Sequence, residues 1–277
     1  MDHFTYGALT PLLSFALSCA GCGVGLSCTA RARVVAGAAR TVWLLLGAVA
    51  IGGTGIWVMH FVAMLGFSVQ GAEIHYDVFT TVASMLLAVA VVAVGLFLVH
   101  REQGGTAALL AGGIVAGLGI AVMHYLGMAA MHIGVDIAYD PLLVVTSVVI
   151  AMAAATGALW LSARVRGVGA GAVATVVMGL AVSGMHYTGM AAMRVTSYRV
   201  GMSIETPAIG LPAAQFLVPL MAAIVASTVA LLIVAAAWPS ASEMELQAEF
   251  DAWTERQRAR QRFGRPAPGP DDGEGRL

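Results

Sequence analysis

Seven long apolar stretches, at roughly residues 8–29, 42–65, 78–99, 107–131, 142–163, 169–193 and 213–238, decide what this chain can become. Each is near the length an α-helix needs, about 20 residues, to cross about 30 Å of hydrocarbon. Backbone groups in hydrocarbon must be satisfied within the segment, which favours helices. Only 10% of the residues are charged, against roughly 25% in a soluble domain, so the chain cannot clothe a soluble surface. The expected fold is an all-α membrane protein of seven transmembrane helices, with the lipid bilayer as its main partner. Nothing in the composition suits a nucleic acid. The start, Met1 to Tyr6, lacks the positive flank of a signal peptide, so the first stretch is expected to stay as a span.

Arginine placement predicts orientation. Lys is absent, and all 14 basic residues are Arg. Arg31, Arg33 and Arg40 follow span one, Arg101 follows span three, and Arg164 and Arg166 follow span five. With the tail, that side holds 12 of the 14, leaving Arg194 and Arg199 opposite. Positive charge near short loops is retained in the cytoplasm, which predicts the N-terminus outside and the C-terminus cytoplasmic. Residues 1–238 are read as the membrane domain. Residues 239–263 are read as an amphipathic cytoplasmic helix, in which Glu243, Glu245, Glu249, Asp251 and Glu255 precede Arg256, Arg258, Arg260 and Arg262. That order suits the helix dipole. Residues 264–277, rich in Pro, Gly and acid, read as a disordered tail. No catalytic domain is seen, so the chain is expected not to be an enzyme.

Three segments are alike: Trp57-Val-Met-His-Phe-Val-Ala-Met64, Ala121-Val-Met-His-Tyr-Leu-Gly-Met-Ala-Ala-Met131 and Ser183-Gly-Met-His-Tyr-Thr-Gly-Met-Ala-Ala-Met193. Their histidines, His60, His124 and His186, are spaced by 64 and 62 residues. Each period holds two spans, which predicts a threefold two-helix pseudo-repeat about an axis along the membrane normal. All three histidines fall near the outer ends of spans two, four and six, roughly 8–12 Å below the surface of the hydrocarbon. Met59, Met123 and Met185 precede them. Met64, Met128 and Met190 follow four residues later, on the same helix face as each His. Imidazole with thioether, and no carboxylate, is a donor set for soft metals. Ionisable groups at this depth are costly and usually mark a site. The alternative is a core of satisfied histidines packed by methionine.

Met185-His-Tyr-Thr188 spells the motif for which the MHYT domain is named, and the chain resembles that family over about residues 5–238. The resemblance implies a bacterial seven-span sensor of the inner membrane. It would hold copper near the outer face and respond to oxygen, carbon monoxide, nitric oxide or redox state. His60, His124 and His186 with Met59, Met123 and Met185 match the motif, and Met64, Met128 and Met190 match its extended pattern. The first copy departs from it, with Phe61 in place of Tyr and no methionine where the others have Met131 and Met193. Many members carry cyclic-di-GMP or kinase output domains. Here the expected output is a cytoplasmic signalling protein in trans, or a homo-oligomer formed through the tail.

Other residues have two readings each. Cys19 and Cys22 form a CxxC, but roughly 15 Å down they lie below the histidine layer, and packing is the simpler role. Tyr125 and Tyr187 either orient a ligand or belong to an aromatic belt. His75 and His132 lie at the outer edge, where solvation is expected, and His100 is on the cytoplasmic side. Two other functions use the same donors: a copper transporter or chaperone, and a haem-binding electron-transfer protein.

Overall fold

The structure is a computed structural model, and it describes residues 5–68, 74–101, 105–133, 135–198, 210–239 and 241–263. Among the described residues, seven helices are long and apolar enough to cross a membrane. They are α1 (Leu9–Ala32), α2 (Gly37–Met64), α3 (Val78–Val99), α4 (Thr106–Ala129), α5 (Pro141–Arg164), α6 (Val168–Ala191) and α7 (Leu217–Ala237). An eighth, α8 (Ala241–Phe263), belongs to a separate unit that begins at Pro239. Its Leu246, Phe250 and Trp253 form an exposed apolar stripe at helical spacing.

Helices α1 to α6 pack on their sequence neighbours, and α6 returns to α1, closing a ring. Helix α7 packs on α1 and α2. Two glycine pairs at GxxxG spacing, Gly21/Gly25 and Gly113/Gly117, lie at close helix contacts. A Cβ on Gly21 would run into the backbone nitrogen of Gly55, and one on Gly113 would lie 2.8 Å from Thr156 Cα. With no side chain between them, the backbones gain dispersion contacts that lipid cannot supply.

Helix α2 is wound differently from the rest. Its Val49–Val58 stretch is π-helical, flanked by α-helical turns. This stretch contains Gly52, Gly53 and Gly55, and every residue from Ala50 to Met64 is buried. A Cβ on Gly52 would lie 2.8 Å from Val89 Cα of α3. Squeezed by α1, α3 and α7, the segment adopts a winding that is rare elsewhere and recurs at functional sites. Nothing in the apolar periodicity predicts it.

Two span boundaries are corrected. Helices α4 and α6 end at Ala129 and Ala191, two residues short of the expected 131 and 193. Met131 and Met193 lie instead in strands, β2 (Met131–His132) and β4 (Met193–Tyr198). Strand β1 (His75–Tyr76) pairs antiparallel with β2 and with β5 (Leu211–Pro212), and β3 (Val135–Tyr139) pairs with β4. Pairing takes over the backbone groups that another helical turn would have used. Two helix starts shift as well. Helix α2 begins at Gly37 rather than 42, where glycine supplies a φ of +60°. Helix α7 begins at Leu217 rather than 213, after a turn in which the amides of Gln215 and Phe216 donate to Pro212 O.

Successive pairs of helices are tied in the same way. Thr5 N–H donates to Gly66 O (3.0 Å), Asp77 N–H to Ala130 O (2.9 Å) and Asp140 N–H to Ala192 O (2.8 Å). Each acceptor stands six residues after a motif histidine. Asp77 and Asp140 also cap the following helices, Asp77 accepting from Thr80 N–H (2.7 Å) and Asp140 from Leu142 N–H (3.0 Å). At the opposite end, arginines hold the exposed carbonyls of helix C-termini. Arg33 donates to Ser162 O (2.7 Å) of α5 and to Val165 O (2.6 Å), the residue that caps it. Buried Arg31 donates to Ala235 O of α7 and to Trp238 O just past its end, and stacks on Trp43.

Candidate metal centre

The three motif histidines meet. His60 near the end of α2, His124 on α4 and His186 on α6 turn into the ring and are each no more than 1% exposed. His60 Nδ1 lies 3.0 Å from His186 Nδ1 and 3.1 Å from His124 Nδ1. Ring centroids are 4.8–5.2 Å apart, with interplanar angles of 75–90°. The rings therefore stand like propeller blades around one point.

A neutral imidazole carries one N–H and one lone pair. Three Nδ1 atoms facing one another cannot all be satisfied by protons shared among them, and lone pairs opposed at 3 Å repel. A cation between them would remove that repulsion. His60 Nε2 and His124 Nε2 are buried with no hydrogen-bond partner among the described residues. Such groups ordinarily signal a missing partner or a site. Among those residues this is the one group of His, Cys, Asp or Glu close enough to share an ion, with ligand atoms all within 4.8 Å. The residues fit a borderline or soft metal held by nitrogen.

Glycines make the fit possible. A Cβ on Gly127, three residues after His124, would lie 2.5 Å from His60 Nε2. One on Gly189, three residues after His186, would run into His124 Nε2. The rings of His60 and His124 thus fill the spaces left by the next motif's glycine. The first motif has Ala63 at that place. The sequence carried this signal, glycine at His+3 in two copies of three, but its meaning depends on which helix faces it.

The six flanking methionines, Met59, Met64, Met123, Met128, Met185 and Met190, are all buried, at 4% exposure or less. Met64, Met128 and Met190 lie one turn from their histidines on the same helix face. Met131 and Met193 are buried too, but in the strands.

The aromatic residues after the histidines anchor the layer to the neighbouring helices. The Tyr125 hydroxyl hydrogen-bonds Ser147 Oγ of α5 (2.7 Å), and that of Tyr187 lies 3.5 Å from Ser14 Oγ of α1. Phe61 has no hydroxyl, and Trp57 Nε1–H donates instead to Ser84 Oγ of α3 (3.0 Å). Sequence reasoning missed the serines and Trp57, since a lone Ser in an apolar helix carries no signal of its partner. His75 and His132 face each other across β1 and β2, outside the central group, and His100 lies at the arginine end. Cys19, Cys22 and Cys28 are free thiols. A Cβ on Gly55 would lie 3.2 Å from Cys22 Sγ, which is packing at the α1–α2 contact.

Residues 53–112, 117–175 and 179–244 each contain one of these histidines, and each matches the family MHYT, a bacterial signalling protein N-terminal repeat. The chain belongs to the MHYT family. It is 44% identical over 172 residues to MucR of Pseudomonas aeruginosa, a bifunctional diguanylate cyclase/cyclic di-GMP phosphodiesterase, covering 60% of this chain and 25% of that protein. It is 34% identical over 197 residues to the signaling protein YkoW of Bacillus subtilis, covering 69% of this chain and 24% of YkoW. With NbdA of P. aeruginosa, a cyclic di-GMP phosphodiesterase, identity is 35% over 214 residues, 75% of this chain and 27% of NbdA. The chain therefore spans about a quarter of the length of the curated relatives it matches. No solved structure matches it.

Proposed function

We propose that this MHYT protein is a sensor of the bacterial inner membrane, in which His60, His124 and His186 hold a copper ion through Nδ1. The N-terminus lies outside and the helix α8 segment in the cytoplasm, so the centre sits near the periplasmic face. The observation that carries the reading is the meeting of three buried imidazoles in a layer without carboxylates, with His60 Nδ1 3.0 Å from His186 Nδ1 and 3.1 Å from His124 Nδ1 and all three ligand atoms within 4.8 Å of one another. Met59, Met64, Met123, Met128, Met185 and Met190 supply thioethers around it, a setting that favours Cu(I). The metal would supply an open coordination position for oxygen, carbon monoxide or nitric oxide, or a redox change. The protein's own part is to hold the imidazoles on three different helices, so that a change in ligation bears on the angle between them. The three backbone ties at Gly66, Ala130 and Ala192 support a threefold repeat of the pairs α1–α2, α3–α4 and α5–α6.

The output is a shift in the tail or in a cytoplasmic partner. It requires the stimulus to bind two states with different affinity. Transport of copper is the weaker reading. Below the histidines the ring encloses a cavity of about 40 Å³ lined by Ile51, Ile56, Val92, Leu96, Ile120 and Leu159 among others. An ion would cross that apolar plug at high cost.

Titrating reduced, copper-loaded protein with carbon monoxide tests the sensor reading. A CO-stretch band that saturates at one ligand per copper and is absent from the metal-free protein is expected. Copper bound tightly with no such band, and no spectral response to oxygen or nitric oxide, would remove gas sensing and leave redox alone.

A further inference from the structure

Helix α8 keeps its largest apolar side chains in the open. Leu246, Phe250 and Trp253 are 52–66% exposed, and the rings of Phe250 and Trp253 stand 6.0 Å apart. Spacings of four and three residues put all three on one face, and Gln257 continues the line. Apolar area left in water forfeits the gain of burial, so the stripe calls for a cover. Charge says which. Glu249 and Arg256 flank the stripe on the same side, Glu249 just before Phe250 and Arg256 just before Gln257. Seven residues apart, they lie beyond the spacing at which side chains meet within one helix.

A second copy of the helix, running the opposite way, satisfies both features. Phe250 of one copy then meets Trp253 of the other, and Leu246 meets Gln257. In that register Glu249 stands beside Arg256 of the other copy, and the twofold symmetry repeats the pair. The outer stripe positions, 243 and 260, carry Glu and Arg and also meet acid to base. With the chains parallel, position 243 would meet 243 and position 260 would meet 260, like charge on like, and Glu249 would face Thr254. An anionic lipid surface is a poorer cover, because Glu243, Glu245 and Glu249 crowd the leading half of the helix. We propose that α8 is a self-recognition surface, which pairs antiparallel with α8 of a second copy of this chain through Leu246, Phe250 and Trp253. The stripe supplies the attraction, and the ion pairs, exposed and individually weak, set the direction. Helix α8 begins four residues after the last span ends, so two chains in one bilayer hold their stripes at high effective concentration. The pairing needs no metal and stands independently of the copper centre.

The test is cross-linking of the full chain in phosphatidylcholine vesicles with a short bismaleimide, the unsubstituted chain serving as control for its native thiols. Copies carrying Gln247→Cys, mixed with copies carrying Thr254→Cys, are expected to link to each other, because the antiparallel register sets these positions side by side. Gln261→Cys should not link to itself, since the same register holds the two thiols roughly 30 Å apart at 1.5 Å per residue. On the Gln247/Thr254 pair, Glu249→Arg alone or Arg256→Glu alone should lower the yield about tenfold, by setting like charges together. Both changes in one chain should restore it, a rescue that a merely structural role for either residue would not give. Gln261→Cys linked to itself would show a parallel pair and overturn the proposal, as would a yield indifferent to the single charge changes or not restored by the double change. No cross-link in phosphatidylcholine, with the thiol of Phe250→Cys shielded from maleimide once phosphatidylglycerol is included, would assign the stripe to the lipid surface and overturn it too.

Discussion

Helices α2 and α4 bring the same Met-His-aromatic sequence to one layer by different backbones. Helix α4 is a regular α-helix that buries one face. Helix α2 is buried on all sides from Ala50 to Met64 and reaches the layer through a π-helical stretch. The local chemistry differs in step with the backbone. Where α4 has Gly127, Tyr125 and a Ser147 partner, α2 has Ala63, Phe61 and a Ser84 that takes its hydrogen bond from Trp57. The first copy of the motif has exchanged its parts without losing the position of its imidazole. Equivalence here resides in where the ring nitrogen ends up, and the residues that put it there are free to differ.

The largest effect that would sharpen this contrast is at the α1–α2 contact. Gly21→Ala would drive a methyl group into the Gly55 backbone, which cannot rotate away. It is expected to exceed the usual overpacking cost of about 1–3 kcal/mol and to abolish folded protein in detergent, as read by size-exclusion chromatography. A folded variant of normal stability would mean that α2 is held less tightly than its burial indicates. Next come the histidine cradles. Gly127→Ala and Gly189→Ala each meet a ring, which can shift, so about 1–3 kcal/mol of lost stability and weakened metal retention are expected. The converse change, Ala63→Gly, should cost only the helix propensity of roughly 0.5–1 kcal/mol. Equal losses at all three places would break the distinction between the copies.

A smaller difference separates the aromatic anchors. Phe61→Tyr buries a hydroxyl where Trp57 already holds Ser84, and is expected to cost about 1–3 kcal/mol. Tyr125→Phe removes one hydrogen bond to Ser147 and should cost about 0.6 kcal/mol, typical of polar contacts within membranes. Restoring the consensus residue in the first copy therefore harms more than deleting it from the second, a ranking that thermal unfolding reads directly. The smallest effect is a pH response. Hydrogen bonds from Thr80 hold the exposed Asp77 carboxyl below its ordinary pKa. Its folded pKa is depressed, so the cap's contribution is present above the ordinary carboxylate range and is lost as pH falls through the lowered value. Asp77→Asn should flatten that acid limb slightly, and an unchanged limb would deny the cap any role.

Much of the membrane architecture was legible because it rests on local properties. Apolar length marked the seven helices. The Met-His register singled out His60, His124 and His186. What was hidden depends on neighbours. The π winding of Val49–Val58 follows from α1, α3 and α7 pressing on one glycine-rich stretch, and no periodicity in the stretch itself encodes it. Met131 and Met193 continued the apolar pattern of their spans. Their backbone nonetheless left the helix because Tyr76 and Tyr139, distant in sequence, offered strand partners. Ser14, Ser84 and Ser147 became meaningful once the ring of helices put an aromatic residue beside each.

The most direct test of the proposed centre is the metal content of detergent-purified protein, loaded with copper under reducing conditions, beside a folded His60→Ala/His124→Ala/His186→Ala variant. About one copper per chain, lost in the variant, is the result this account predicts from three nitrogens facing one point. Copper absent from both proteins, or bound equally by both, would contradict it.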